Sequence, residues 1–244
     1  MISCQLARLF GCCLLCFALS NRQTMATLPN YISAAFIITA LLTLWVLCKA
    51  ANYSKTVLAI ALLWMALQAA LGLQGFYKDT AGMPPRFMWL LFPPVLLITG
   101  VLIRGDKTTT AKYDVKVLTL LHIMRIPVEL ILFGLYLHKV VPRVMTFEGR
   151  NFDMLCGLTA PFIYYFGYIK PVLNRKIILA WNVICLLLLI NIVVLAVISA
   201  PLSFQRIAFD QPNVALLYFP FVWLPGFIVP VVLFAHLYTI RKLL

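Results

Sequence analysis

The chain has 244 residues, of which 64% are hydrophobic and 11% are charged, whereas an ordinary soluble domain carries about 25% charged residues. A water-soluble fold has too little polar surface to cover so much apolar material, so the excess is expected to face lipid. Twenty Lys and Arg against seven Asp and Glu give a formal net charge of +13, but these basic residues lie in small groups at the ends of apolar stretches. That distribution is typical of membrane proteins and excludes a continuous phosphate-binding groove, so the lipid bilayer is the expected partner and nucleic acid is not.

Residues 1–24 are not expected to belong to the folded domain. The apolar stretch that follows Arg8 is about twelve residues long, short of the ~20 that cross a bilayer. The small residues Ala18 and Ser20 favour a cleaved signal peptide, and the alternative is that translation begins at Met25. Either interpretation leaves residues 25–244 as a single transmembrane domain.

Seven apolar segments of spanning length predict an all-α fold, a bundle of seven transmembrane helices. In chain order the predicted helices are Tyr31 to Cys48, Val57 to Phe76, Phe87 to Ile103, Val117 to Val141, Met154 to Ile169, Ile177 to Ala200 and Leu217 to Ile240. The fifth is interrupted by Pro161, and its loss would move the C-terminus to the other side of the membrane.

The loops indicate the orientation of the bundle. From residue 25 onward, eleven loop Lys and Arg fall on one side and six on the other. The positive-inside rule then places the C-terminus in the cytoplasm and the N-terminus outside, in the plasma membrane. The sequon Asn52-Tyr53-Ser54 falls in a predicted cytoplasmic loop, so its glycosylation would contradict this orientation.

The fourth predicted helix carries the polar residues that point most directly to function. At 100° per residue, His122, Arg125 and Glu129 share one face, which Tyr136 extends. Arg125 lies about 12 Å and Glu129 about 18 Å from Val117 along the helix, inside a hydrocarbon core of about 30 Å. Each would cost about 2.5 to 3.5 kcal/mol to insert unpaired, so an ion pair between them is predicted, facing other helices or a water-filled cavity.

Two interpretations of this pair remain open. The functional one is a site for a solute, an ion or a proton, which is the default hypothesis for intramembrane ionisable groups. The structural one is a salt bridge that fixes the fourth helix against Gln68, Asn182 or Asn191 on its neighbours.

The predicted outer loop from Pro142 to Asp153 is the second polar region. Its polar residues could close over a ligand or bind a cation at the mouth of the bundle; they are Glu148, Arg150, Asn151 and Asp153. The preferred interpretation is a solvated loop with a helix cap at Asp153.

No metal, cofactor or disulfide framework is expected. His122 and His236 are predicted to be neighbours, and Glu129 would be a third ligand, but no metal-binding spacing is present. The seven cysteines are an odd number, and Cys156 and Cys185 lie in apolar runs where they serve as small hydrophobic residues.

Prolines also interrupt the third and the seventh predicted helices, as in the broken helices of transporters. Pro93 and Pro94 lie in the third, and Pro220, Pro225 and Pro230 in the seventh. The favoured function is therefore a transporter of a small solute or ion, or a membrane-embedded binding protein, with substrate-binding residues His122, Arg125, Glu129 and Tyr136. The alternatives are an intramembrane enzyme that acts on lipid, with Glu129 as acid or base, and a scaffold without a ligand.

Overall fold

The computed structural model describes residue 25 and residues 28–79, 85–104 and 113–244. The predicted signal segment lies outside these residues. Within them the fold is all-helical, without strands, as the composition and periodicity predict.

The described part of the chain forms eight α-helices. They are α1 (Asn30–Ala50), α2 (Lys55–Leu73), α3 (Met88–Arg104), α4 (Val115–Leu121), α5 (Arg125–Leu137), α6 (Met154–Tyr164), α7 (Arg175–Ser199) and α8 (Val229–Leu243). Short 3-10 turns lie at Phe76–Lys78, His122–Met124, Arg143–Met145 and Ala215–Leu217, and π-helical turns at Tyr165–Ile169 and Leu224–Ile228.

Five described segments are long and apolar enough to cross a membrane, which indicates a membrane protein. They are Asn30–Ala50, Lys55–Leu73, Val115–Leu137, Arg175–Ser199 and Leu224–Leu243. Two shorter apolar helices, Met88–Ile103 and Met154–Ile169, complete the set of predicted segments.

The fourth predicted helix is divided into α4 and α5 by a 3-10 turn. Asp114 caps α4, because its Oδ1 accepts a hydrogen bond from the backbone N–H of Lys116 at 2.8 Å. Pro127 is the third residue of α5 and has no N–H to donate to the carbonyl of Ile123 four residues earlier. The turn at His122–Met124 tightens the backbone where that bond is missing, immediately before Arg125.

The last predicted helix begins later than the sequence pattern indicated. Leu217 ends a 3-10 turn and Tyr218 is extended, so the helical segment starts at Leu224 rather than at Leu217. Residues 215–217 are buried although they are not in an α-helix. Irregular backbone of this kind is tolerated at membrane depth only where protein covers it.

The segment Leu224–Leu243 forms the centre of the bundle. Within its most apolar stretch of 18 residues, 72% of the residues are buried, whereas the corresponding share in the spanning segment Lys55–Leu73, which lies at the periphery, is 22%. Helices α3, α4 and α7 pack around α8. The loop between α5 and α6 lines a cavity together with the start of this segment, and it carries two of the polar residues described below.

A close backbone approach within that loop depends on Gly149. A Cβ atom at this position would lie 2.7 Å from the Cα of Val144, and closer still to the carbonyl oxygen of Arg143. Both are backbone atoms, so no side-chain rotation relieves the overlap.

We therefore expect Gly149→Ala to lower the free energy of unfolding by about 1 to 3 kcal/mol, the usual cost of overpacking. Thermal unfolding in detergent, followed by circular dichroism, measures the change. Gly100→Ala in α3 is the matched control, because a Cβ there meets no atom within 4 Å and alanine favours a helix. Equal melting temperatures for the two variants would contradict the packing described here.

Candidate functional site

Arg125 lies at the start of α5 with only 3% of its surface exposed. Its Nη1 is 2.9 Å from Oδ1 of Asp153 and donates at 3.4 Å to the carbonyl oxygen of Cys185. Its Nη2 is 2.9 Å from Nε2 of His236. One guanidinium group therefore connects α5 with the start of α6, with α7 and with α8.

The predicted ion pair between Arg125 and Glu129 is replaced by the pair between Arg125 and Asp153. Within one helix, a cation four residues before an anion is the weaker of the two orders. The guanidinium reaches across to the neighbouring helix instead. Glu129, 1% exposed, accepts a hydrogen bond from Nδ2 of Asn151.

The interpretation of the outer loop as wholly solvated is wrong at its end. Asn151 and Asp153 are 1% and 6% exposed. Nδ2 of Asn151 also donates to the carbonyl oxygen of Met145 at 3.1 Å, while Oδ1 accepts from the backbone N–H of Asp153 at 3.1 Å. The Asp153 side chain makes no cap to α6. Glu148 and Arg150 remain at the surface, as predicted for a solvated loop.

The prediction that His122 and His236 are neighbours is confirmed. Their rings stack with centroids 4.0 Å apart and an angle of 16° between the planes, and both residues are fully buried. Nδ1 of His236 is 3.1 Å from Oδ1 of Asn182, whose Nδ2 donates to the carbonyl oxygen of Ile178. Trp181 meets the His122 ring edge-on at 5.5 Å.

These contacts define the polar cluster, a set of seven buried side chains: His122, Arg125, Glu129, Asn151, Asp153, Asn182 and His236. Both ring nitrogens of His122 and Oε2 of Glu129 lack a hydrogen-bond partner. Buried polar atoms without partners lower the stability of the fold, and they often mark a functional group or the position of an ordered water or ion.

A small cavity reaches the two carboxyl groups of the polar cluster. It has a volume of about 60 Å³, and its wall consists of apolar side chains together with Glu129 and Asp153. A water molecule needs roughly 10 to 15 Å³ of such space, so the cavity has room for a few waters. Glu129, whose Oε2 has no hydrogen-bond partner, is one of the residues that such waters would contact.

Burial sets the electrostatics of Asp153. Removal from water raises its pKa above the usual range, and the Arg125 guanidinium acts in the opposite direction by stabilising the carboxylate. The ionised form of Asp153 therefore depends on the Arg125 guanidinium beside it.

The polar cluster has no arrangement for a metal ion. Among the described residues, no group of three or more His, Cys, Asp and Glu side chains is placed to hold one. The nearly parallel rings of His122 and His236 also direct their nitrogens alongside each other rather than towards a shared point.

The structure brings together three of the four predicted binding residues: His122, Arg125 and Glu129. Tyr136 lies about 16 Å further along the helix axis than Arg125, with its ring 6.1 Å from that of Phe133. The sequence predicted Asn151 and Asp153 in a separate polar loop rather than in this site, and it indicated Asn182 only as one of three possible contacts of the fourth helix. Their signal was weak but present, since Asn182 interrupts an apolar run and the other two directly precede α6.

No protein-family model matches this chain, and neither the curated proteins nor the solved structures give a significant match. The geometry of the polar cluster is therefore the basis for the proposal of function.

We expect Asp153→Asn to lower the free energy of unfolding by about 3 to 5 kcal/mol, because it leaves a buried guanidinium without its counter-charge. The double variant Arg125→Met with Asp153→Leu should lose less than Asp153→Asn alone. Unfolding in mixed detergent micelles measures both values.

Glu148→Gln is the control for charge removal, because it breaks an exposed contact of 4.0 Å with Arg143. Surface pairs contribute less than about 1 kcal/mol. If Asp153→Asn were as stable as Glu148→Gln, the buried ion pair would not support the bundle.

Proposed function

We propose that the protein is a membrane transporter of ions, with the polar cluster as its site of binding. The observation that supports this most directly is that Glu129, whose Oε2 has no hydrogen-bond partner, lines the 60 Å³ cavity. That volume favours a proton or a small cation with a few waters over an organic solute.

The ionisable groups around Glu129 support proton uptake at that carboxyl group. His122 stacks on His236, His236 contacts Arg125, and Arg125 pairs with Asp153, which lines the same cavity as Glu129. Three of these residues, His122, Arg125 and Glu129, lie on one span and cover about 10 Å along the helix axis. Chains of acidic residues and histidines at this depth are typical of proton pathways in pumps and transporters.

In the proposed mechanism, Glu129 takes up the ion and Arg125 holds Asp153 ionised beside it. Proton binding to Glu129 would remove one of the two negative charges that face the guanidinium. The distribution of negative charge around Arg125 then changes. The helices can adjust to this change at the irregular backbone of residues 122–124 and 224–228.

We also propose that the bundle has seven spans, with the two shorter helices crossing the membrane. The backbone N–H of Asp114 donates to the carbonyl oxygen of Ala50 at 2.8 Å, so the chain returns to the end of α1 after α3. Arg175 donates to backbone carbonyls near the end of α8, so the chain returns to that same side after α6. Local thinning of the bilayer accommodates helices of this length.

A scaffold without a ligand is the competing proposal. It is favoured by the guanidinium of Arg125, which finds an anion, a carbonyl and an imidazole within the protein. Transport measurements separate the two proposals.

We expect purified protein in liposomes to carry protons, Na⁺ or K⁺ down an imposed gradient, and Glu129→Gln to reduce the flux to that of empty liposomes. The amide preserves the shape of the side chain but cannot take up a proton. A pH-sensitive dye or ion-sensitive dye inside the liposomes measures the flux. Glu148→Gln should transport like the wild type, and equal flux for both variants, or none for the wild type, would contradict the proposal.

The seven-span arrangement predicts which single cysteines react in intact cells. Glu148→Cys should react with a membrane-impermeant maleimide, whereas Tyr53→Cys and Val172→Cys should react only after permeabilisation. All three side chains are exposed. The background needs serine at the four cysteines of the first 24 residues, since Cys48, Cys156 and Cys185 are buried.

Each pair of positions tests one short helix. Labelling of Tyr53→Cys and Glu148→Cys from the same side would mean that α3 does not cross, and the same result for Glu148→Cys and Val172→Cys would exclude α6. Labelling in the opposite sense at all three positions would reverse the proposed orientation.

A further inference from the structure

A second and larger cavity lies at the lipid-facing side of the bundle, away from the polar cluster. It has a volume of about 280 Å³ and is formed by α2, α3, α8 and the π-helical turn before α8. Ile60 and Leu97 on its rim are 51% and 54% exposed, so the cavity is a groove that opens towards lipid. We call it the leaflet groove, with walls that include Val57, Trp64 and Phe234.

The leaflet groove is apolar along its length. Its floor consists of buried side chains, among them Ala61, Ile98 and Val231. The indole N–H of Trp64 donates to the carbonyl oxygen of Gly226 at 2.7 Å, so that donor is already used. An occupant must therefore bind there through hydrophobic contact alone.

The depth of the leaflet groove matches one leaflet of a bilayer. Helix α2 lines it from Val57 to Trp64, and Trp64 is about 14 Å along the helix from Lys55. Half of a hydrocarbon core of about 30 Å is about 15 Å. With Lys55 at the membrane surface, the groove would end near the mid-plane, at a depth that an acyl chain reaches.

The end of the leaflet groove at the membrane surface is basic. Lys49 at the end of α1 and Lys55 at the start of α2 are exposed, each two residues along the chain from a lining residue, Leu47 or Val57, and Nζ of Lys49 lies over the ring of Trp45 at 5.4 Å. The first turn of α2 contains no acidic residue.

A third lysine reaches this end from α8. Lys242 lies over the ring of Tyr238 at 5.8 Å, and the Tyr238 hydroxyl donates to the carbonyl oxygen of Tyr113, a lining residue. Asp114 is the one carboxylate side chain at this end among residues 28–79, 85–104 and 113–244, and it caps α4. Positive charge is therefore in excess where a headgroup would lie.

We propose that the leaflet groove binds one acyl chain of an anionic glycerophospholipid, whose phosphate is held by Lys49, Lys55 and Lys242. The second chain stays in the surrounding bilayer, in contact with the exposed Ile60 and Leu97. A zwitterionic phospholipid offers the same chain but no net charge to the three lysines, so the anionic lipid binds more tightly. This inference does not depend on ion transport.

Fluorescence quenching by brominated lipid tests the proposal, because Trp64 is a wall of the leaflet groove. Delipidated protein in detergent is titrated with phosphatidylglycerol or phosphatidylcholine that carries dibrominated acyl chains. The Trp64 signal is the difference between the wild type and Trp64→Phe. We expect phosphatidylglycerol to quench this signal at a much lower mole fraction than phosphatidylcholine does.

The lysine variants test the headgroup contacts. A lysine near an anionic headgroup contributes about 1 kcal/mol, so Lys49→Gln, Lys55→Gln and Lys242→Gln should each raise the half-quenching mole fraction of phosphatidylglycerol about fivefold. Lys139→Gln is the matched control, since Lys139 is exposed at the opposite end of the bundle. Equal quenching by the two lipids, or equal effects of all four substitutions, would overturn the proposal.

A second variant tests the position of the chain. Ala61→Leu fills the leaflet groove and should abolish quenching of Trp64, whereas Ala59→Leu on the exposed side of α2 should leave it unchanged. The melting temperature shows whether both variants fold. If both variants fold and Ala61→Leu is quenched like the wild type, the acyl chain does not occupy the groove. If Ala61→Leu does not fold, the comparison of the two lipids and the lysine variants still tests whether the groove binds an anionic lipid.

Discussion

The rest of the structure depends on the burial of one positive charge in an apolar bundle. Arg125 cannot reach water from the start of α5, and an unpaired guanidinium at this depth costs several kcal/mol. Its counter-charge comes from Asp153, in another element, rather than from its own helix. The loop between α5 and α6 must therefore fold inwards, and the close backbone approach at Gly149 is part of how it does so.

The same constraint accounts for the composition of the polar cluster. Once Asp153 is withdrawn from water, Asn151 accompanies it and bonds to the carboxyl group of Glu129. On the other side, His236 contacts the guanidinium and is itself oriented by Asn182. These contacts connect α5, α7, α8 and the loop before α6, and they support conformational specificity as well as the proposed uptake of an ion at Glu129.

The sequence predicts the fold well because spanning length and apolar composition are local properties. All seven predicted segments are helical in the structure, although Tyr218 and Pro220 delay the last one to Leu224. The site is predicted only in part. Helical spacing identifies His122, Arg125 and Glu129, whereas Asp153 reaches the site through the geometry of a loop. A residue at the start of an apolar segment has the same sequence signature whether it caps a helix or points into a bundle.

The central claim is that Arg125 pairs with Asp153 inside the bundle in a lipid bilayer. Solid-state NMR on protein with ¹⁵N-labelled arginine and ¹³C-labelled aspartate measures this contact as a dipolar coupling between guanidinium nitrogen and carboxyl carbon. An Asp79→Asn background removes the surface pair between Arg86 and Asp79, which also has a separation of 2.9 Å. A strong coupling that disappears in Asp153→Asn is the predicted result. Absence of that coupling, with a coupling to the Glu129 carboxyl carbon in a second sample that carries ¹³C-labelled glutamate, would contradict the account.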